Sequence, residues 1–273
     1  MKTPFDKIYV ISLITNKSRQ ESIKTQMEKL GLNYEFVYGI DFINFTKDGV
    51  YQTIKWPYLF DMRFKDFGIK TKIAEYGVAI THYRAVLQAY EFGYKNVLIL
   101  EDDICFNKDK DFVEYYLNHI PNDADFVTYD PRICVVPPKF DPTEFERLSR
   151  DLWECENDYM DLENYYELCG AMAYGLMNRK TMKLYLDNQR NTLMCVDHVI
   201  GLFRNPTPLV KRYCCSKCIC IDQYNHKCNF TGIHNLAFEN HYKKMFPQLD
   251  KSMFYGPKEY IISNVVPASE IKI

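Results

Sequence analysis

Short apolar runs alternate with longer stretches of helical period along this chain. Lys7-Ile8-Tyr9-Val10-Ile11-Ser12-Leu13 reads as a buried strand. Thr15-Asn16-Lys17-Ser18 supplies turn and N-cap chemistry, and Ile23, Met27 and Leu30 then mark one face of a helix that Gly31 is placed to end. Tyr34-Glu35-Phe36-Val37-Tyr38 predicts a second strand ending near Asp41, which closes a strand–helix–strand unit within about 35 residues. Residues 42–71 mix aromatic and charged side chains without a period and read as an irregular excursion over the sheet edge.

A strong helix follows over about Lys72 to Phe92, with Tyr76, Ile80, Tyr83, Leu87 and Tyr90 at three- and four-residue steps and Gly93 as its stop. Glu75 and His82 fall on nearly the same side of it, two turns apart. Val97-Leu98-Ile99-Leu100 is a strand apolar on both faces, and it stops abruptly in Glu101-Asp102-Asp103. Phe112 to Ile120 reads as a short helix and Ala124 to Tyr129 as a further strand, before Pro131, Pro137 and Pro138 break regularity. Between Asp141 and Glu167 stand ten acidic residues against two Arg, a solvated insertion or a lid. Cys169 to Met177 predicts a strand, Asn178 caps a helix from Arg179 to about Asp187, and Asp197 opens a short helical stretch.

Composition bounds the class. The 273 residues, 47% hydrophobic and 26% charged, suffice for one large domain of ordinary globular make-up. A net charge of −2 gives no bulk attraction for nucleic acid or anionic membrane. The opening residues show no secretory signal, and no apolar run approaches the roughly 18–20 residues of a membrane span. Ten Cys without a signal point to reduced thiols and a cytoplasmic location. Cys215 and Cys218, with Cys228 and His234, have a spacing that either holds zinc or packs as free thiols. Lys211, Arg212, Lys217 and Lys227 suit a diphosphate as well as they suit ordinary surface.

The acidic triplet carries the sharpest chemistry. Three like charges at one strand end repel and desolvate badly unless a cation neutralises them. The carboxyl ends of strands are also where open α/β sheets bind ligands. Mg²⁺ or Mn²⁺ suits such a site, since hard ions take carboxylate oxygens and bridge to substrate phosphates. Arg19, at a helix start, is placed either for a phosphate or as plain surface.

Three segments together resemble glycosyltransferase family 25, which includes lipooligosaccharide galactosyltransferases and collagen glycosyltransferase domains. They are Ile8 to Leu13 with Arg19 after it, Glu75-Tyr76-Gly77-Val78-Ala79-Ile80-Thr81-His82, and Leu98-Ile99-Leu100-Glu101-Asp102-Asp103. Weaker agreement continues through Ala173-Tyr174-Gly175 and Val196-Asp197-His198. Val78 and Thr81 stand where the family has Cys and Ser.

The resemblance implies an α/β fold of GT-A type: a Rossmann-like mixed sheet flanked by helices, in a single large domain with an irregular C-terminal part. Residues 1–210 would form it, the nucleotide-binding half over about 1–130 and the acceptor half over about 131–210. Residues 211–273 would be a Cys-rich extension packed on it. The implied reaction transfers a hexose with inversion from a nucleotide sugar, usually UDP-linked, to a glycan or protein acceptor, with Mn²⁺ or Mg²⁺. Asp103 would be the main metal ligand, Glu101 would reach metal or ribose, and Asp102 would orient them. Ser12, Leu13 and Arg19 would line the donor site, and His226 or His234 would complete the metal shell. Asp197 is the candidate base, with Glu75 or His82 in reserve. A metal-dependent phosphoester hydrolase and a non-catalytic nucleotide-sugar-binding module are the competing readings.

Overall fold

A computed structural model gives the fold; it describes residues 1–39, 55–58, 61, 65, 69–129, 132–133, 147, 150–152, 154–162, 168–169, 172–192, 210–222 and 248–255. Strand β1 (Lys7–Leu13), helix α1 (Lys17–Leu30) and strand β2 (Glu35–Gly39) form the expected strand–helix–strand unit, with β1 and β2 parallel. Asn16 sits at the helix start without a side-chain cap hydrogen bond, whereas Gly31 ends the helix in the left-handed region at φ 70°. The long helix α2 (Ile69–Glu91) leads through Gly93, φ 79°, into β3 (Val97–Glu101), which pairs parallel to β1 on its other side.

Strand β4 (Ile104–Phe106), helix α3 (Lys110–Asn118), β5 (Phe126–Thr128), β6 (Arg132–Ile133), β7 (Tyr159–Asp161), β8 (Leu168–Cys169), β9 (Ala173–Leu176), helix α4 (Arg179–Thr192), β10 (Arg212–Cys215) and β11 (Cys220–Asp222) follow. The caps of α3 and α4 are Asp109, which accepts from the Phe112 amide at 3.0 Å, and Asn178, which accepts from the Thr181 amide at 2.9 Å.

The main sheet has seven strands in the order β2-β1-β3-β9-β5-β10-β7. β9 runs antiparallel between β3 and β5, and β7 closes the far edge antiparallel to β10. The expected Rossmann-like mixed sheet flanked by helices is therefore what this chain adopts. β10 lies between β5 and β7 and β11 pairs with β4, so residues 212–222 share sheets with strands that precede them in the chain. The acidic stretch from Asp141 is also not solvated throughout: it supplies β7, with Leu152 and Leu162 fully buried. Residues 42–54 and the short stretch at Asp197 lie outside the described residues.

Side-chain alternation splits the core in two. Ile8, Val10, Leu98 and Leu100 face α1 and pack with Ile23, Met27 and Leu30. Tyr9, Ile11, Val97 and Ile99 face the other way, under Ala85, Val86 and Ala89 of α2 and Met182 and Tyr185 of α4. Gly175 is small because a Cβ there would come within 2.8 Å of both Phe5 and Val127.

Six described cysteines are free thiols, five of them buried, and no group of three metal-ligating side chains comes together among the described residues. Cys228 and His234 lie outside them. Burial pushes the Cys215 thiol up to about 12, so it stays protonated and inert near neutrality. Native protein treated with iodoacetamide at about pH 8 is expected to be alkylated at half-exposed Cys155, while Cys105, Cys214, Cys215, Cys218 and Cys220 react only in urea. Labelling of Cys215 as fast as Cys155 would contradict this packing.

Candidate active site

The carboxyl ends of β1 and β3 lie side by side, with Ile11 opposite Glu101. Residue parity then sends the neighbouring carboxylates to different environments. Asp102 turns toward α1, where it is 5% exposed and accepts from Ser12 Oγ at 2.6 Å. Arg19, in the first turn of α1, places Nη1 3.1 Å from both Asp102 Oδ1 and Asp103 Oδ2. Gln20, buried beside it, donates to Ser12 Oγ at 3.3 Å and to the Leu13 carbonyl at 2.6 Å, which fixes the end of β1. Gln26, one helical turn and a half further on, bridges the Ile104 carbonyl and the Phe106 amide at 3.1 and 2.8 Å. These two glutamines lock α1 to the strand exit, and both escaped the sequence analysis, because a Gln on a helix carries no signal until its strand partners are known.

On the opposite face, Glu101 meets α2. Its Oε1 lies 3.2 Å from His82 Nε2, and His82 Nδ1 lies 3.0 Å from the Tyr174 hydroxyl. The His82 ring is 0% exposed and stacks near-parallel to Tyr174, with centroids 5.8 Å apart. The close approach of α2 has a local cause. Thr81 turns its hydroxyl back onto the Gly77 carbonyl at 2.7 Å, and a Cβ on Gly39 would stand 2.9 Å from that hydroxyl. Both ring nitrogens of His82 are engaged, which suits an orienting role better than proton abstraction from an acceptor. Glu75 is half-buried two turns earlier on the same helix.

Electrostatics follow from this packing. Burial alone would lower the Arg19 pKa, but Asp103 and Asp102 outweigh it and hold the guanidinium above its ordinary value. Burial raises the Asp102 pKa, against the pull of Arg19. Three carboxylates against one guanidinium leave two formal negative charges at the edge. Asp103 Oδ1 is the telling atom: it is shut from solvent and, among the described residues, accepts no hydrogen bond. A buried carboxylate oxygen without a donor costs free energy unless a cation or ligand meets it. Mg²⁺ and Mn²⁺ are commonly held by one or two carboxylates together with substrate phosphates, so this oxygen fits a hard divalent ion even without a protein cage. Asp102, turned inward to Ser12 and Arg19, does not fit as a ligand.

The structure thus brings together Ser12, Leu13, Arg19, Glu101, Asp102, Asp103 and His82 from distant parts of the sequence. Asp197, His226 and His234 lie outside the described residues. The basic pair at the start of β10 is elsewhere. Its register through β5 and β9 aligns Arg212 with Val97, at the opposite edge of the sheet. There Lys211 pairs with Asp161, and the buried Arg212 donates to the Leu162 carbonyl at 3.2 Å. A separate cavity of about 590 Å³ lies along β7, lined by Tyr159, Asp161 and Tyr213 with Arg147 and Asp151.

The seven-stranded mixed sheet flanked by helices is consistent with a Rossmann-like glycosyltransferase fold. Residues 5–200 match the family described as glycosyltransferase family 25 (LPS biosynthesis protein), and the chain belongs to that family. No curated protein matches the chain.

The buried carboxylate gives a test of these electrostatics. Because the folded pKa of Asp102 lies above its ordinary 3.8, the native state binds the proton more tightly than the unfolded chain does. Its contribution to stability is full below 3.8 and is lost as pH rises through the folded value. The stability gap between wild type and Asp102→Asn, measured by urea unfolding, is therefore expected to shrink from about pH 4 toward neutrality. A gap that widens over that range would mean that the ion pair with Arg19, and not burial, governs Asp102.

Proposed function

We propose that this glycosyltransferase moves a hexose from a UDP-linked sugar to a hydroxyl of a glycan or protein acceptor, with inversion and with the help of Mn²⁺ or Mg²⁺. The observation that carries the reading is the buried Oδ1 of Asp103, without a hydrogen-bond partner among the described residues, at the carboxyl edge of a parallel strand pair. Asp103 would hold the ion, with Glu101 beside it. When bound, a divalent ion stabilises the charge that develops on the departing diphosphate. Arg19 keeps Asp103 aimed by holding its other oxygen, and its position in the first turns of α1 lets the same cation face a phosphate. Ser12 and Gln20 hold the β1 terminus rigid under the donor.

Inversion requires a carboxylate opposite the leaving group to take the acceptor proton. Asp197 is proposed for that task, on its place in the family pattern. His226 or His234 is proposed to complete the ion's shell, on ligand chemistry alone. Membership of a family described by LPS biosynthesis supports a saccharide acceptor, and favours transfer over phosphoester hydrolysis. The free thiols support a reducing, cytoplasmic setting. No helix among the described residues is long and apolar enough to cross a membrane.

Isothermal titration with UDP tests the assignment. Wild type is expected to bind UDP in a Mn²⁺-dependent manner, and Asp103→Asn to lose at least about tenfold of that affinity, with a melting temperature within ~2 °C of wild type. Undiminished Mn²⁺-dependent binding by Asp103→Asn would remove Asp103 from the site.

A further inference from the structure

We propose that Tyr174 is a positioning residue for Glu101 and acts on it through His82; only what Glu101 then does rests on the nucleotide-sugar reading above. Hydrogen counting constrains the donors and acceptors. An ionised carboxylate accepts and cannot donate, so His82 Nε2, 3.2 Å from Glu101 Oε1, carries the hydrogen. In a neutral imidazole the other nitrogen is then an acceptor, and Tyr174 Oη, 3.0 Å from Nδ1, is the donor. With the carboxylate ionised and the ring neutral, every link of the chain Tyr174–His82–Glu101 has one direction.

Burial makes the arrangement matter. Tyr174 and His82 are both 0% exposed, so water cannot replace a lost partner. The Glu101 side chain, 28% exposed, is the member that reaches the ligand edge. Each group also comes from a rigid element. Tyr174 stands directly opposite Ile99 across the β3–β9 pairing, on the face that Glu101 shares two residues later. His82 is mid-helix in α2, packed over that same face. Register alone therefore sets the spacing. A carboxylate whose Oε1 is fixed by a buried imidazole at a strand exit presents its lone pairs in a set direction, whereas one that lost that contact would have more freedom to be ordered on binding. A histidine that merely fills the core would leave ligand binding indifferent to Tyr174.

Tyr174→Phe removes the hydroxyl and keeps the stacked ring. Two measurements on the full chain decide the matter. In ¹⁵N-histidine spectra, with the His82 signal identified by its loss in His82→Gln, wild type is expected to show hydrogen on Nε2 and a hydrogen-bonded, unprotonated Nδ1 that shifts by several ppm in Tyr174→Phe. Hydrogen on Nδ1 with Nε2 bare, or no shift, overturns the proposal.

In UDP titrations with Mn²⁺, Tyr174→Phe is expected to weaken binding about five- to tenfold when Glu101 is intact, and less than about twofold further in a Glu101→Gln background. No loss, or the same loss in both backgrounds, makes Tyr174 a packing residue and overturns the proposal. Should wild type fail to bind UDP at all, the donor reading falls and the histidine spectrum alone decides the role of Tyr174.

Discussion

Three successive carboxylates at the end of a buried strand cannot share one low-dielectric environment. This chain resolves the conflict by strand alternation. Glu101 falls on the α2 face and meets His82, while Asp102 falls on the α1 face and meets Ser12 and Arg19. Asp103, past the strand, is held by one oxygen to the same Arg19, and its other oxygen is buried without a donor among the described residues. Glu101 is hydrogen-bonded to His82, whereas Asp102 and Asp103 share a single guanidinium, so the charge at the edge is only partly balanced among the described residues. The remaining structure is arranged to make that possible: α1 is pinned by Gln20 and Gln26, α2 is admitted by Gly39, and β9 is inserted between β3 and β5.

One consequence concerns Arg19. With both acids in reach it is better charged than burial alone would permit, so it serves as a fixed cation and not as a proton donor. Its single Nη1 touches both Asp102 and Asp103 at 3.1 Å. Removing it would leave two carboxylates facing each other under α1, an arrangement that destabilises the strand exit as well as any ligand contact. The pairing also explains why Asp102, though central in the triplet, belongs to the scaffold of the edge and Asp103 to its working surface.

Much of the fold was legible in the sequence because its elements have strong periods. Val97 to Leu100 could only be a doubly covered strand, and Gly31 and Gly93 stop helices at left-handed residues. The acidic edge was legible for the same reason, as a sharp change from apolar to charged. What pattern could not give was partnership across the chain. Arg19 stood evenly between phosphate ligand and surface residue until its distance to Asp102 and Asp103 was known. Tyr174 is simply an aromatic in an apolar run; its hydroxyl acquires meaning from His82, 92 positions earlier. Tyr159 to Asp161 was hidden in an acidic stretch because three residues are too few to set a period. Arg212 looked like available positive charge, yet sheet register carries it to the far edge and into the core.

The proposed role of Asp103 Oδ1 is to hold a divalent ion. Anomalous diffraction at the manganese edge, from crystals grown with Mn²⁺ and UDP, addresses it directly. A peak is expected at bonding distance from Asp103 Oδ1 and none on Asp102. A manganese peak elsewhere in the chain, with Asp103 bare, would contradict it.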